Sequence, residues 1–191
     1  TDEKTLITNA QKPAKFLGFD IFIRRSNDLR KDINGKTIRS LGHVPVLYLN
    51  YETMRKKLFD YKAARIAVEN GKEIWKSIVR TYMIDLDDLE IVSQFNAEIR
   101  GFYNYYSIAN NSPAINSFYH IMSYSMYKTF ARKYKSSVKK ILFQYKKDGT
   151  FKVAYENSKG KTLYQSFYHD GFKRKKIAGA TYATLSRGQL Q

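Results

Sequence analysis

The residues whose chemistry is easiest to assign form a row of cations. Its members are Lys128, Arg132, Lys135 and Lys139, at spacings of 4, 3 and 4 residues. On a continuous helix these side chains fall within roughly 60° of arc. Like charges at such spacings repel one another, and residues 128–147 contain no acid. We therefore expect the row to face a polyanion, most simply the phosphates of a nucleic acid.

An apolar side is predicted opposite the row, formed by Met126, Phe130, Tyr134, Ile141 and Tyr145. Thr129 places a hydroxyl beside Lys128, a common companion in phosphate contacts. The other basic residues predicted to touch RNA are Arg100, Lys133 and Lys140, then Arg55, Lys56 and Lys62, and Arg24 and Arg25 of a basic cluster. A merely solvated face is the alternative, but such a face usually mixes charges of both signs.

Two of the 16 tyrosines are also candidate contacts. Packing between helices explains most of the tyrosines. Tyr105 and Tyr127, however, lie off the main apolar stripes. We expect these two rings to stack on unpaired bases or to contact ribose.

The sequence offers little for catalysis. Asp85, Asp87 and Asp88 are adjacent, which fits helix capping better than a metal site assembled from separate strands. The three histidines are scattered, and the chain contains neither cysteine nor a Tyr-x-Asp-Asp motif. We therefore expect no catalytic residue, metal site or cofactor in this chain, and no catalysis by it alone.

Composition points to a folded, strongly basic chain. It has 191 residues, is 43% hydrophobic and carries a net charge of +17. Residues 24–80 have a net charge of +8 and residues 120–176 one of +12, whereas residues 81–119 have one of −4. Such charge favours nucleic acid as the partner. No apolar run approaches the roughly 20 residues that span a bilayer, so no membrane partner is expected.

The first third of the chain is predicted to begin with β structure. Strands are expected over residues 5–8 and 15–24, with a turn at 9–13 between them, and an extended run over 44–49. Residues 24–41 fit either a hairpin or a mobile basic loop. A helix is predicted from Tyr51, with Asn50 as its N-cap and Asn70-Gly71 as its C-cap pair.

The rest is predicted to be helical and then β-rich. A second helix begins within residues 85–88 and carries an apolar stripe of Leu89, Val92, Phe95, Ile99, Phe102, Tyr106 and Ala109. A third runs from about Pro113 to Tyr134, and Ser136-Ser137 interrupts it before residues 138–145. Residues 151–155 and 162–168 are expected to form a hairpin.

Three segments resemble the group II intron-encoded proteins, which are reverse transcriptases and splicing maturases. Residues 4–8 (KTLIT) with 14–21 (AKFLGFDI) are similar to the last conserved block of the polymerase palm. Residues 89–92 (LEIV) through 98–101 (EIRG) to 104–106 (NYY) resemble the start of the maturase domain, called domain X or thumb. Ser125 and residues 128–135 (KTFARKYK) resemble its second signature, in which the family more often has Leu at the place of Phe130.

The resemblance implies an α+β chain, mainly α. Residues 1–48 would be the palm edge and basic loop, 49–147 a three-helix thumb bundle, and 148–191 a β-hairpin and basic connector. Implied partners are group II intron RNA and the template–primer duplex, and target DNA through other regions of a parent protein. That parent would be an RNA-directed DNA polymerase requiring Mg²⁺, in the bacterial cytoplasm or in an organelle. Because the chain starts at Thr1, we expect it to be part of a longer polypeptide.

Three other functions stay open at this stage. The chain could be a stand-alone basic RNA- or DNA-binding module without polymerase history. It could be a sequence-specific DNA binder, for which duplex DNA should bind more tightly than structured RNA. It could also be a nuclease with its own metal site, which would cleave in the presence of magnesium.

Overall fold

The computed structural model describes residues 9–24, 29–31, 33–39 and 44–175. The helices in this part of the chain are α1 (Tyr51–Asp60), α2 (Asp88–Tyr106), α3 (Ile115–Lys133) and α4 (Val138–Tyr145). Its strands are β1 (Ala14–Phe16), β2 (Phe19–Arg24), β3 (Leu29–Lys31), β4 (Thr37–Arg39), β5 (Val44–Leu49), β6 (Ala64–Glu69), β7 (Lys72–Ser77), β8 (Lys146–Lys147), β9 (Thr150–Glu156) and β10 (Thr162–Ser166). The predicted α+β class is confirmed.

The N-terminal sheet has the antiparallel order β1-β2-β5. The free edge of β5 is completed by two asparagines that follow α2. Asn110 accepts from the Leu47 amide at 3.1 Å, and Asn111 accepts from the Leu49 amide at 2.7 Å. Asn110 and Asn111 thus satisfy the edge of β5 and join the sheet to the helices.

The prediction of one strand over residues 15–24 is wrong. This segment is the β1–β2 hairpin, with Leu17 and Gly18 at positive φ in its turn. A Cβ on Gly18 would collide with the Tyr106 hydroxyl, so glycine is required by close approach as well as by backbone angle. Of the two options for residues 24–41, a hairpin is observed in β3 and β4. The predicted strand over residues 5–8 lies outside the described residues.

The first helix is shorter than predicted. Asn50 caps α1 by accepting from the Glu52 amide at 2.7 Å, as expected, but α1 ends at Asp60. Strands β6 and β7 then form a hairpin around Asn70-Gly71, both at positive φ. Asn-Gly with two positive φ angles is a strong two-residue hairpin signal. Our assignment of this pair as a helix C-cap was therefore wrong.

The helices α2 and α3 build the core of the bundle. The predicted stripe of α2 is buried from Val92 to Ala109. Against it packs α3, where Phe118 stacks on Phe102 with ring centroids 4.2 Å apart. Pro113 lies in a 3-10 turn just before α3, as a first-turn proline should. No helix in the described part of the chain is long and apolar enough to cross a bilayer.

The C-terminal strands form the antiparallel order β8-β9-β10. In β9, Phe151 and Val153 are buried against the helices. Strand β9 pairs with β10, so the predicted hairpin is confirmed. Asn96 of α2 fastens this sheet to the bundle. Its side chain donates to the Ser166 carbonyl at 2.9 Å and accepts from the Tyr168 amide at 2.8 Å.

Candidate nucleic-acid interface

The residues of the second signature face inward as much as outward. Ser125 donates its hydroxyl to the Ile78 carbonyl at 2.7 Å, and the Lys128 ammonium donates to the Ser77 carbonyl at 2.7 Å. Both bonds hold the backbone that leaves β7 against α3. Lys128 therefore has a structural role in addition to any contact with phosphate.

The structure contradicts the prediction that the Thr129 hydroxyl contacts phosphate. Its side chain is fully buried. The hydroxyl accepts from the Arg80 amide at 3.0 Å and donates to the Ser125 carbonyl at 2.8 Å. Both of its hydrogen-bonding roles are used inside the protein, so no phosphate reaches it in this structure. Thr129 lies seven residues after the buried Met122, two helical turns along the same face, and this spacing could have revealed its burial.

Arg80 is the buried charge that the sequence did not reveal. Its side chain is 0% exposed, and Nη1 lies 2.7 Å from Oε2 of Glu98, which is 9% exposed. The guanidinium carbon lies 4.0 Å from the ring centroid of Phe95. Glu98 belongs to the segment that resembles the first signature of domain X. In this structure the Arg80–Glu98 ion pair ties the linker after β7 to α2.

Asp88 of α2 binds polar groups from the end of α3 and from the end of α4. Its carboxylate accepts from the Lys133 ammonium at 2.7 Å, the Tyr134 hydroxyl at 2.7 Å and the Tyr145 hydroxyl at 2.8 Å. Burial alone would lower the pKa of Lys133, but the hydrogen bond and the charge of Asp88 raise it above its ordinary value. Burial raises the pKa of Tyr145, and its contacts with Tyr134 and Asp88 raise it further.

Two predictions change because of Asp88. Lys133 was predicted to contact RNA, but in this structure its charge is already compensated. Tyr134 was placed on the apolar side, yet it is 45% exposed and directs its hydroxyl to Asp88. Of the three neighbouring aspartates, Asp87 caps the start of α2, as predicted, and it does so in a capping box with Glu90.

The predicted row of cations is bent. Lys135 has a positive φ of 46°, α3 ends at Lys133, and Ser137 caps the new helix α4. Lys139 therefore lies on a different helix from Lys128 and Arg132, and the prediction of one straight row is wrong. The break follows from Ser136-Ser137, where an interruption was expected.

Three of the four cations still meet at one surface. Lys128, Arg132 and Lys135 line a shallow depression of about 370 Å³, together with Val79, Ala131, Ser136 and Val138. We call this the cationic depression. Arg132 and Lys135 are exposed and have no ion-pair partner within the described chain. The other two basic candidates of this region, Lys139 and Lys140, are exposed on α4.

The remaining basic candidates are dispersed. Arg55 is paired with Glu73 at 2.8 Å, and the Lys62 ammonium lies 5.5 Å from the Tyr82 ring centroid. Lys56 is exposed on α1, and Arg24 is exposed at the end of β2. Arg100 is exposed on α2, beside a hollow of about 330 Å³ shared with Lys175. Arg25 lies outside the described residues.

The two tyrosines predicted to stack on bases differ. Tyr105 is 51% exposed, although its hydroxyl donates to the Leu17 carbonyl at 3.2 Å. Tyr127 is packed against Phe151 and Phe167 of the C-terminal sheet. Burial raises the pKa of Tyr127 to about 12. Tyr127 therefore packs inside the protein, which contradicts the prediction that its ring stacks on a base.

Carboxylates are distributed in a way that does not suggest a metal centre. Across the described ranges, no three histidine, aspartate or glutamate side chains gather as possible metal ligands. What this part of the chain presents on α3, α4 and the link between them is a group of exposed cations.

The fold and the site define a basic helical bundle flanked by small antiparallel sheets. Comparison with known proteins gives its family. Residues 48–180 match the family described as type II intron maturase. This match covers more than half of the chain, which therefore belongs to that family.

Individual relatives agree with this assignment. The chain is 37% identical over 162 residues to LtrA, a group II intron-encoded protein of Lactococcus lactis subsp. cremoris. The alignment covers 84% of this chain and 26% of LtrA. A Saccharomyces cerevisiae protein named for intron 1 of COX1/OXI3 is 33% identical over 146 residues, which is 70% of this chain and 16% of that protein. The chain thus spans about a quarter or less of these relatives, and the predicted resemblance to group II intron-encoded proteins is confirmed.

Proposed function

We propose that this chain is the RNA-binding maturase segment of a group II intron reverse transcriptase. In this proposal it binds intron RNA to assist splicing, and within the parent protein it holds the template–primer duplex during reverse transcription. The observation that carries the proposal is the cationic depression, where Arg132 and Lys135 are exposed and unpaired on a well-packed frame. Family membership supports intron RNA as the polyanion.

The frame and the cations have separate tasks in this account. Ser125, Thr129 and the Arg80–Glu98 pair fix the backbone between β7 and α2 against α3. The backbone that carries the outer cations is therefore held in place, so binding does not have to order a flexible loop. Cations on a fixed backbone lose less conformational entropy on binding than cations on a mobile loop.

Splicing assistance of this type is binding work. An RNA that samples several folds shifts towards the fold that the protein binds best. Phosphate contacts supply affinity, and the tertiary shape of the RNA decides which phosphates line up with the cations. No catalytic group is needed in this segment. The Mg²⁺-dependent polymerase chemistry and any contact with target DNA would belong to other regions of the parent.

Charge reversal at the depression tests the proposal. The variant Arg132→Glu/Lys135→Glu should bind a group II intron transcript at least tenfold more weakly than the unaltered chain, as measured by fluorescence anisotropy. The matched control is Lys159→Glu/Lys161→Glu, which makes the same change of charge in the exposed β9–β10 turn. The control should retain most of the affinity.

Two results would overturn the proposal. One is unchanged affinity for the transcript in a folded Arg132→Glu/Lys135→Glu variant. The other is tighter binding of the unaltered chain to duplex DNA than to the transcript at matched salt, which would indicate a DNA-binding module instead. Circular dichroism establishes that each variant is folded.

A further inference from the structure

Phe143 of α4 is 92% exposed. It lies on the opposite side of the helix from Ile141, which is 1% exposed and anchors α4 to the core. A single exposed aromatic side chain carries no information by itself. The surroundings of Phe143, however, are not those of an ordinary surface.

Phe143 has two lysines as neighbours on α4. Lys139 and Lys140 precede it by four and three residues, so both are its neighbours on the helix surface. Both side chains are exposed, and neither has an ion-pair partner in the described part of the chain. Further along, the Lys147 ammonium lies 5.4 Å from the ring centroid of Tyr164, which is 55% exposed.

The position of α4 connects this surface to the cationic depression. Val138, the first residue of α4, lines the depression. Lys139 directly follows Val138, and Phe143 lies one helical turn beyond Lys139, about 6 Å along the helix axis. Lys139 therefore links the edge of the cationic depression to Phe143, and a nucleic-acid strand that runs from the depression along Lys139 reaches the Phe143 ring.

We propose that Phe143 stacks on an unpaired base of RNA, while Lys139 and Lys140 contact the adjoining phosphates. The inference rests on the proposed function, and it adds a site for single-stranded RNA to a surface for phosphates. Aromatic rings flanked by cations are the usual means of holding single strands, because every base has a face to stack. A protein partner fits less well, since lysine is depleted where protein surfaces meet.

The test uses two probes of equal length and charge. One is a 12-nucleotide single-stranded oligoadenylate, and the other has the same ribose–phosphate backbone without bases. Phe143→Ala should weaken binding of the oligoadenylate about tenfold, the size expected for losing one stacked base. It should leave binding of the abasic probe unchanged. Phe143→Trp should restore the affinity for the oligoadenylate.

Two further variants complete the design. Lys139→Gln/Lys140→Gln should weaken the binding of both probes, because the substitution removes positive charge but leaves the Phe143 ring in place. Val68→Ala is the matched control: Val68 is 71% exposed, but its cross-strand partner is Glu73 and its neighbour is Glu69. This control should change neither affinity. Because Phe143 is almost fully exposed, its truncation should leave the melting temperature unchanged.

The inference is overturned if Phe143→Ala binds the oligoadenylate as tightly as the unaltered chain does, or loses affinity equally for both probes. If Arg132→Glu/Lys135→Glu nevertheless binds the intron transcript more weakly, either result refutes only the stacking site and leaves the proposed function standing. If the unaltered chain binds neither probe and no intron transcript, the proposed function and this inference fall together.

Discussion

The carboxylate of Asp88 lies 2.7 Å from the ammonium of Lys133, joining the first turn of α2 to the last turn of α3. The two side chains are 18% and 20% exposed. Partial burial makes this pair less screened than an ion pair in open solvent. The contact explains why Lys133 differs from Arg132 and Lys135, although all three lie within four residues of one another.

Asp88→Asn should destabilise the fold. The amide keeps one acceptor oxygen but loses the charge that Lys133, Tyr134 and Tyr145 share. Hydrogen bonds to charged groups contribute about 1.5–3 kcal/mol each, so we expect a loss of about 2 kcal/mol in the free energy of unfolding. Urea denaturation measures it. The control Asp85→Asn alters an exposed aspartate of the same segment and should change stability by less than about 0.5 kcal/mol. Equal effects of the two substitutions would contradict the role of Asp88.

Glu98→Gln tests the buried ion pair. Arg80 is fully buried, so removing the opposite charge leaves an uncompensated cation in the core. Breaking such a pair typically costs about 3–5 kcal/mol. Glu69→Gln breaks the exposed pair with Lys76 on the β6–β7 hairpin, where a loss of about 0–1 kcal/mol is expected. Thermal unfolding of both variants compares the two sites, and a Glu98→Gln variant as stable as Glu69→Gln would show that Arg80 does not need its partner.

Thr129→Val separates a structural role from an RNA contact. Valine has almost the same shape but leaves the Arg80 amide without its acceptor. An unsatisfied buried donor costs about 1–3 kcal/mol, so the melting temperature should fall. The affinity of the folded variant for intron RNA should stay the same. A weaker RNA complex at unchanged stability would restore Thr129 as a contact residue.

Alkaline pH should destabilise the chain through Tyr127. Burial raises its pKa to about 12 in the folded state, against about 10 in an unfolded chain. The unfolded state therefore releases this proton first as the pH rises. The ionisation of Tyr127 therefore leaves stability unchanged below pH 10 and lowers the free energy of unfolding between about pH 10 and pH 12.

Tyr127→Phe checks this dependence. The hydroxyl of Tyr127 makes no hydrogen bond within the described residues, so its removal should do little at neutral pH. Urea unfolding from pH 9 to 11.5 should show a smaller loss of stability in Tyr127→Phe than in the unaltered chain. Parallel curves for the two proteins would show that this tyrosine titrates normally.

The sequence predicted what local patterns determine. The capped start of α2, its apolar stripe, the break at Ser136-Ser137 and the C-terminal hairpin all depend on residues close together in the chain, and they are confirmed. Asn70-Gly71 was misread, although the signal was local. The same pair can end a helix or turn a hairpin, and the β-branched residues around it favoured the hairpin.

The candidate site was harder to predict because its details depend on distant partners. Lys133 and Arg132 are adjacent cations, and they are distinguished by Leu86 and Asp88, more than 40 residues earlier, to which the Lys133 ammonium donates. Tyr127 is covered by Phe151 and Phe167, which no helical periodicity reveals. Phe143 was overlooked because an apolar residue in a helix is usually assigned to the core.

The salt dependence of RNA binding tests the central claim most directly. Engaging about six phosphates gives a slope of log K against log salt near −5, and each phosphate accounts for about 0.7–0.9 of it. Neutralising Arg132 and Lys135 of the cationic depression in Arg132→Gln/Lys135→Gln should therefore make the slope shallower by about 1.4–1.8. Lys159→Gln/Lys161→Gln, which removes the same charge elsewhere, should leave the slope as it was. An unchanged slope in the folded depression variant, or an equal change in both variants, would contradict the account.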